Sequence, residues 1–145
     1  MAVLLKSANL SVTPGAAWDI VDRFMRADIR VFSFIQENRI EGSMRTVISE
    51  GLEQPELNIT IDPEHMYASY TLLESPYWKG TYHHGCMRVF DTGDGGCRFE
   101  WITDVAPDSW ATKLKGDYLD VLWSELVKVI ETGEEAPPPP AVPAG

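Results

Sequence analysis

The stretch MRVFDTGDGGCRFEWITDV, Met87 to Val105, decides the fold. After its centre, Phe99 and Trp101 alternate with Arg98 and Glu100, the period of two of a strand with one apolar and one polar face. Before the centre, Met87 and Val89 alternate in the same way with Arg88 and Phe90. Between them, Thr92-Gly93-Asp94-Gly95-Gly96 is a dense turn signal. Two alternating runs joined by so short a turn form an antiparallel hairpin.

Upstream of the hairpin, runs of β-forming residues recur between turn signals. One lies near Ile35 to Glu41, closed by Gly42, and the next is Met44 to Ser49, closed by Glu50-Gly51. Leu57, Ile59 and Ile61 alternate with Glu56, Asn58 and Thr60 before Asp62-Pro63-Glu64. Tyr67 to Glu74 is a further strand, and a long one is expected from about Trp78 to Phe90. Val3 to Val12 reads as the first strand. Thr13 is a good N-cap and Pro14 a good first helical residue, and Ala17, Ile20, Val21 and Phe24 follow at helical spacing. A second short helix or an irregular stretch is expected over Ala27 to Phe34.

Downstream, Pro107-Asp108-Ser109 opens the longest helix, in which Trp110, Leu114, Tyr118, Val121, Leu122, Leu126, Val129 and Ile130 recur every three or four residues. Gly133 is a plausible C-cap. The end, GEEAPPPPAVPAG, cannot pack a core, so the expected division is a folded domain over 1–133 and a disordered, proline-rich tail over 134–145. The tail reads as a spacer, or as a handle for a proline-recognising module.

The expected fold class is therefore α+β: a curved antiparallel sheet of six to seven strands wrapped around a long C-terminal helix, with two short helices after the first strand. A sheet and a helix held in this way leave a gap, and pockets form in such gaps.

At 145 residues the chain suits one domain, and 44% hydrophobic with 23% charged residues is ordinary for a globular protein. The 22 acidic and 12 basic side chains, a net charge of −10, oppose binding to a nucleic acid or an anionic membrane. No stretch is long and apolar enough to span a bilayer, and the short run Ala2 to Leu5 is no signal-peptide core. The expected compartment is the cytoplasm. Cys86 and Cys97 fall on opposite strand faces and are expected as reduced thiols. A homodimer is compatible with the sequence.

The element order and local motifs resemble the START-like, helix-grip superfamily, also called SRPBCC, and within it the polyketide cyclase/dehydrase-like branch. The resemblance rests on Pro14 through Trp18, on Gly42-Ser43-Met44-Arg45-Thr46-Val47, on Ile61-Asp62, on Tyr70, on Gly93-Asp94-Gly95-Gly96-Cys97-Arg98-Phe99-Glu100-Trp101 and on the closing helix. It spans roughly residues 3 to 132. It implies the fold strongly and an activity weakly, since these motifs are turns and core positions. The superfamily includes aromatase/cyclases, dehydratases and carriers, and has no universal catalytic residue. Two departures stand out: Pro55 interrupts the fourth strand, and the pair His83-His84 sits where relatives more often show an aromatic residue followed by small or basic ones.

Alternation assigns the pocket-facing side chains. Phe99, Trp101, Cys97 and Thr103 are expected inward, with Met87, Val89, His83 and Gly85 on the neighbouring strand, where Gly85 would leave a gap for a ligand. Ala68, Tyr70 and Leu72 share an inward parity, and Leu57, Ile59 and Ile61 are read in the same way. The ligand-binding set is then Trp78, Phe99, Trp101, Met87, Ile59, Tyr118 and Leu122.

Three residues are candidates for chemistry. His83 can act as acid or base near neutral pH. Tyr70 can donate to a substrate oxygen. Arg45 can hold an oxyanion or carboxylate, although an outward salt bridge fits its ambiguous parity equally well. His83 and His84 diverge on a strand and His65 stands alone in a loop, so no metal site is expected. Nucleophile-elbow, P-loop and dinucleotide signatures are lacking, and no cofactor is expected. The first reading is a cofactor-independent cyclase or dehydratase acting on an aromatic or polyketide-like molecule. The alternatives are a non-catalytic carrier or sensor of a small hydrophobic ligand, and a partner-binding module.

Overall fold

The computed structural model describes residues 1–114 and 117–140, and side chains throughout those ranges except at 113–118. Seven strands form one antiparallel sheet: β1 (Ala2–Leu10), β2 (Glu37–Glu41), β3 (Met44–Ser49), β4 (Leu52–Asp62), β5 (Tyr67–Leu72), β6 (Tyr82–Asp91) and β7 (Cys97–Ala106). Their spatial order is β1-β7-β6-β5-β4-β3-β2. Helix α1 (Pro14–Met25) joins the strands at the two edges, and α2 (Asp108–Leu114) and α3 (Asp117–Thr132) follow β7. This is the expected α+β arrangement of a curved sheet with a C-terminal helix.

Local chemistry explains most boundaries. The Thr13 side chain accepts the Ala16 N–H at 3.1 Å and Pro14 begins α1, which buries Ala17, Trp18, Ile20, Val21, Phe24 and Met25. These pack with Leu126, Val129 and Ile130 of α3 and with Met87, Val89, Cys97 and Phe99 of the sheet, the main core. The Phe99 ring lies flat against Trp123, with centroids 5.5 Å apart. Glu50 and Gly51 both have positive φ, 51° and 75°, the backbone of a tight two-residue hairpin turn. That turn sets Arg45 opposite Glu56 and Val47 opposite Gln54.

Four expectations are corrected. The second short helix is absent: residues 26–36 run as turns, and buried Ile29, Val31, Phe32 and Ile35 pack there without helical hydrogen bonding. Strand β6 begins at Tyr82, not near Trp78. The Ser75 hydroxyl accepts the N–H groups of Tyr77 and Trp78, both at 3.0 Å, and folds this segment inward. Strand β4 runs unbroken through Pro55, which pairs with Thr46. The folded body also continues past residue 133. Ala136 is buried, its N–H donates to the Arg30 carbonyl at 2.8 Å, and the Glu135 carboxylate accepts the Arg30 N–H at 2.9 Å. Cys86 and Cys97 are free and lie on opposite faces of the sheet, as read from the sequence.

Candidate functional site

A cavity of about 220 Å³ lies between the inner face of the sheet and the helices. The sheet contributes Leu4, Val47, Gln54, Glu56, Tyr70, Leu72, His83, Trp101 and Thr103 to its wall. Phe24 comes from the end of α1, and Trp110, Leu119 and Leu122 come from α2 and α3. The irregular segments supply Phe32, Phe34, Ile35, Tyr77 and Trp78. Phe34 and Tyr77 are the most exposed of the lining aromatics, at 37% and 42%, and they mark the mouth. Inside, Trp78 packs on Trp110 at 4.8 Å and Phe32 on Trp101 at 6.0 Å.

Of the residues expected at the site, His83, Tyr70, Trp78, Trp101 and Leu122 line this cavity. The His83 ring sits 5.5 Å from both Tyr70 and Trp78. Its Nδ1 accepts the Leu72 backbone N–H at 3.1 Å, so in the neutral ring the proton sits on Nε2. Burial, reinforced by the nearby His84, lowers its pKa from 6.5 to about 4, the bond at its own backbone pulling weakly the other way. At neutral pH His83 is therefore an uncharged hydrogen-bond donor. Its remaining nitrogen already carries a hydrogen and cannot accept a proton from a substrate. The Tyr70 hydroxyl accepts the Trp101 indole N–H at 3.0 Å, which leaves its own hydrogen to donate. Burial holds the phenol well above its ordinary pKa, with the Glu56 charge adding to the effect.

Phe99 and Met87 face inward but belong to the solid core, fully buried under Trp123 and α1, and do not reach the cavity. Ile59 points out to solvent and is 51% exposed. The reason lies in the β3–β4 turn: with Val47 in the core, its partner Gln54 must face inward, and Glu56 and Asn58 follow by alternation. A bulge between Asn58 and Thr60 then restores Ile61 to the inner face. Gly85 leaves no gap for a ligand, because the Tyr70 ring occupies that space. A Cβ added at Gly85 would lie 2.6 Å from the Tyr70 Cζ. Tyr118 is among the residues whose side chains lie outside the description.

Arg45 is fully buried yet is not part of the cavity wall. Its Nη1 donates to the Phe24 carbonyl at 3.2 Å and its Nη2 lies 3.0 Å from the Glu56 carboxylate. The guanidinium also lies over the Phe24 ring at 4.1 Å. Arg45 thus caps the C-terminal end of α1, where a cation is favoured, assisted by Asn58, whose side-chain amide donates to the Met25 carbonyl at 2.7 Å.

The group that sequence reading missed is Glu56. It is 7% exposed and lines the cavity. Burial pushes its carboxyl above the ordinary carboxylate range, with the Arg45 charge pulling the other way. Two signals in the sequence pointed to it: the two-residue turn Glu50-Gly51, and the opposite charges that this turn sets face to face. Gln54 beside it is fully used, its amide donating to the carbonyls of Pro55 and Leu73 and its oxygen accepting from Ser75.

Among the described residues, Asp62, Glu64 and His65 group closely enough to share a cation. They lie in the β4–β5 turn, remote from the cavity. Asp62 is engaged within the turn by the His65 ring at 2.7 Å and the His65 N–H at 3.2 Å. No described helix is long and apolar enough to cross a membrane.

The sheet order, the α1 crossing and the closing helix define a helix-grip fold. Solved structures with this fold overlay most of the chain. The protein XoxI from Bacillus cereus aligns with a TM-score of 0.72 at 17% identity, over 92% of this chain and 95% of that one. Norcoclaurine synthase from Thalictrum flavum, in complex with dopamine and hydroxybenzaldehyde, aligns with a TM-score of 0.67 at 16% identity, over 93% and 89%. Ara h 8.0201 aligns with a TM-score of 0.64 at 14% identity, over 89% and 97%. No protein-family model matches the chain, and no curated protein matches it in sequence.

Proposed function

We propose that the chain binds a small, uncharged, largely apolar molecule in this cavity and acts on it by cofactor-independent acid–base chemistry of the cyclisation or dehydration type. The observation that carries the reading is the lining: His83 with its Nε2–H, Tyr70 with a hydrogen left to donate, and Glu56 all belong to an otherwise largely apolar hollow. Aromatic faces hold an apolar body, and a few polar groups orient it.

Size narrows the ligand. A cavity of about 150 Å³ holds benzene, and drug-sized ligands occupy roughly 300–1,000 Å³. The 220 Å³ here suits one aromatic ring with a short substituent rather than an extended polyketide chain. The likeness of local motifs to the polyketide cyclase/dehydrase-like branch bears on reaction type, and the two free thiols favour a cytoplasmic setting.

A second reading, a non-catalytic carrier, draws on one observation. His83 is locked as a donor by Leu72 and so resembles a ligand-orienting group more than a proton shuttle.

Titration with phenylacetone, followed by the fluorescence of Trp78, Trp101 and Trp110, tests the site. Saturable quenching is expected, and it should be lost in Leu122→Trp, which fills the hollow. Quenching unaffected by that variant would place binding elsewhere.

A further inference from the structure

The acid–base reading needs a base, and His83 cannot serve, since its Nδ1 is taken by the Leu72 N–H and its Nε2 carries the hydrogen. Tyr70 is a donor, tied to Trp101. Tyr77, at the mouth, donates its hydroxyl hydrogen to the Ser49 carbonyl at 2.6 Å. Among the described ionisable side chains of the cavity wall, that leaves Glu56. We infer that Glu56 is the proton-accepting catalytic residue, and that the substrate class is a small aryl ketone or aldehyde with a hydrogen on the carbon next to its carbonyl. The inference rests on the cavity being the ligand site.

Three features of the position support it. Glu56 is buried on β4 in the wall of a largely apolar hollow, and a carboxylate withdrawn from solvent is a stronger base than an exposed one. The charge facing it, Arg45 on β3, keeps the ionised form accessible despite burial. Across the wall, β5 and β6 present the two hydrogen-bond donors that an enolate oxygen requires, Tyr70 and His83. An uncharged ligand also suits the electrostatics, because Arg45 and Glu56 already neutralise one another.

The step balances without a co-reactant. The Cα–H bond breaks and its proton goes to the Glu56 carboxylate. The electron pair forms the C=C bond, and the carbonyl π pair moves onto oxygen, which accepts hydrogen bonds from the Tyr70 O–H and the His83 Nε2–H. Return of the proton regenerates the ketone; attack of the enolate carbon on a second carbonyl would form a ring or a new carbon–carbon bond.

Phenylacetone in D2O reports the first half-reaction directly. Loss of its benzylic proton signal by NMR measures exchange, while tryptophan quenching measures binding separately. The full chain should accelerate exchange over buffer, and Glu56→Gln should lower the acceleration about 100-fold or more with binding changed less than threefold. Because Glu56→Gln strands the Arg45 charge, Arg45→Met/Glu56→Gln is examined in parallel and should show the same loss. Binding without accelerated exchange, or exchange that survives both variants, overturns the assignment of Glu56 while leaving the ligand site standing. Absence of saturable binding to the unaltered chain defeats the site itself, and this inference with it.

Discussion

Lowering the pH should weaken this fold through His83 in a way that its environment makes calculable. The ring has a pKa of about 4 in the folded chain against 6.5 for an exposed histidine, because burial disfavours the imidazolium. A depressed pKa means that the unfolded chain takes up the proton first. The stability contributed by neutral His83 is therefore intact above about pH 7 and is lost as the pH falls toward 4. With about 1.36 kcal/mol per pKa unit, the linkage relation gives a loss of about 1.4 kcal/mol at about pH 5.5 and about 3 kcal/mol by about pH 4. Domains of this kind have about 5–15 kcal/mol in total, so the loss is readily measured. The comparison is with His83→Asn, whose side-chain oxygen can still accept the Leu72 N–H but which does not titrate. Urea unfolding at a series of pH values, the variant subtracted from the unaltered chain, isolates the histidine, since Glu56 and the surface carboxylates are common to both. A difference that stays flat between about pH 7.5 and pH 4 would refute the buried, neutral imidazole, and with it the role of His83 as a fixed donor.

Three further outcomes follow from the geometry. Arg45→Met leaves the Glu56 carboxyl buried without its counter-charge and should cost about 3–5 kcal/mol in urea unfolding, whereas Arg45→Met/Glu56→Leu should recover most of it; a single-variant cost below about 1 kcal/mol would contradict the buried pair. Gly85→Ala drives a methyl into the Tyr70 ring, 2.6 Å away, and should cost about 1–3 kcal/mol and alter tryptophan emission as the Tyr70–Trp101 bond breaks. Removing residues 134–145 takes away the two backbone hydrogen bonds at Arg30 and should lower stability by about 1–3 kcal/mol in thermal unfolding; an unchanged midpoint would restore the boundary at 133.

The parts of the fold legible in the sequence were those governed by local rules. The Thr13-Pro14 start of α1, the glycine-rich β6–β7 turn and the inward parity of His83, Tyr70, Trp101 and Thr103 follow from capping, turn chemistry and alternation within one element. The wall of the site was legible only in part, because much of its aromatic lining comes from segments with no period to read. Phe32, Phe34, Tyr77 and Trp78 reach the cavity from irregular chain whose course is set by contacts such as Ser75 with Trp78. Phe99 and Met87 show a different limit: parity names the face, but depth along the face decides between core and cavity, and depth depends on where α3 lies.

Strand β4 shows most clearly what alternation cannot settle. Its period of two divides Leu57 and Ile59 from Glu56 and Asn58 without stating which side is inner. Hydrophobicity alone favours the aliphatic side, and burying about one such side chain is worth roughly 1.5–3 kcal/mol. The hairpin outweighs this, because turning β4 over would also expel Val47 from the core and strand the C-terminal carbonyls of α1, now met by Arg45 and Asn58. Two adjoining strands read together, through the two-residue turn between them, place the charged pair inside; one strand read alone places it outside. The carboxyl on which the proposed chemistry depends is inside because of that coupling, and it is matched to the cavity at the expense of leaving Leu57 and Ile59 in water.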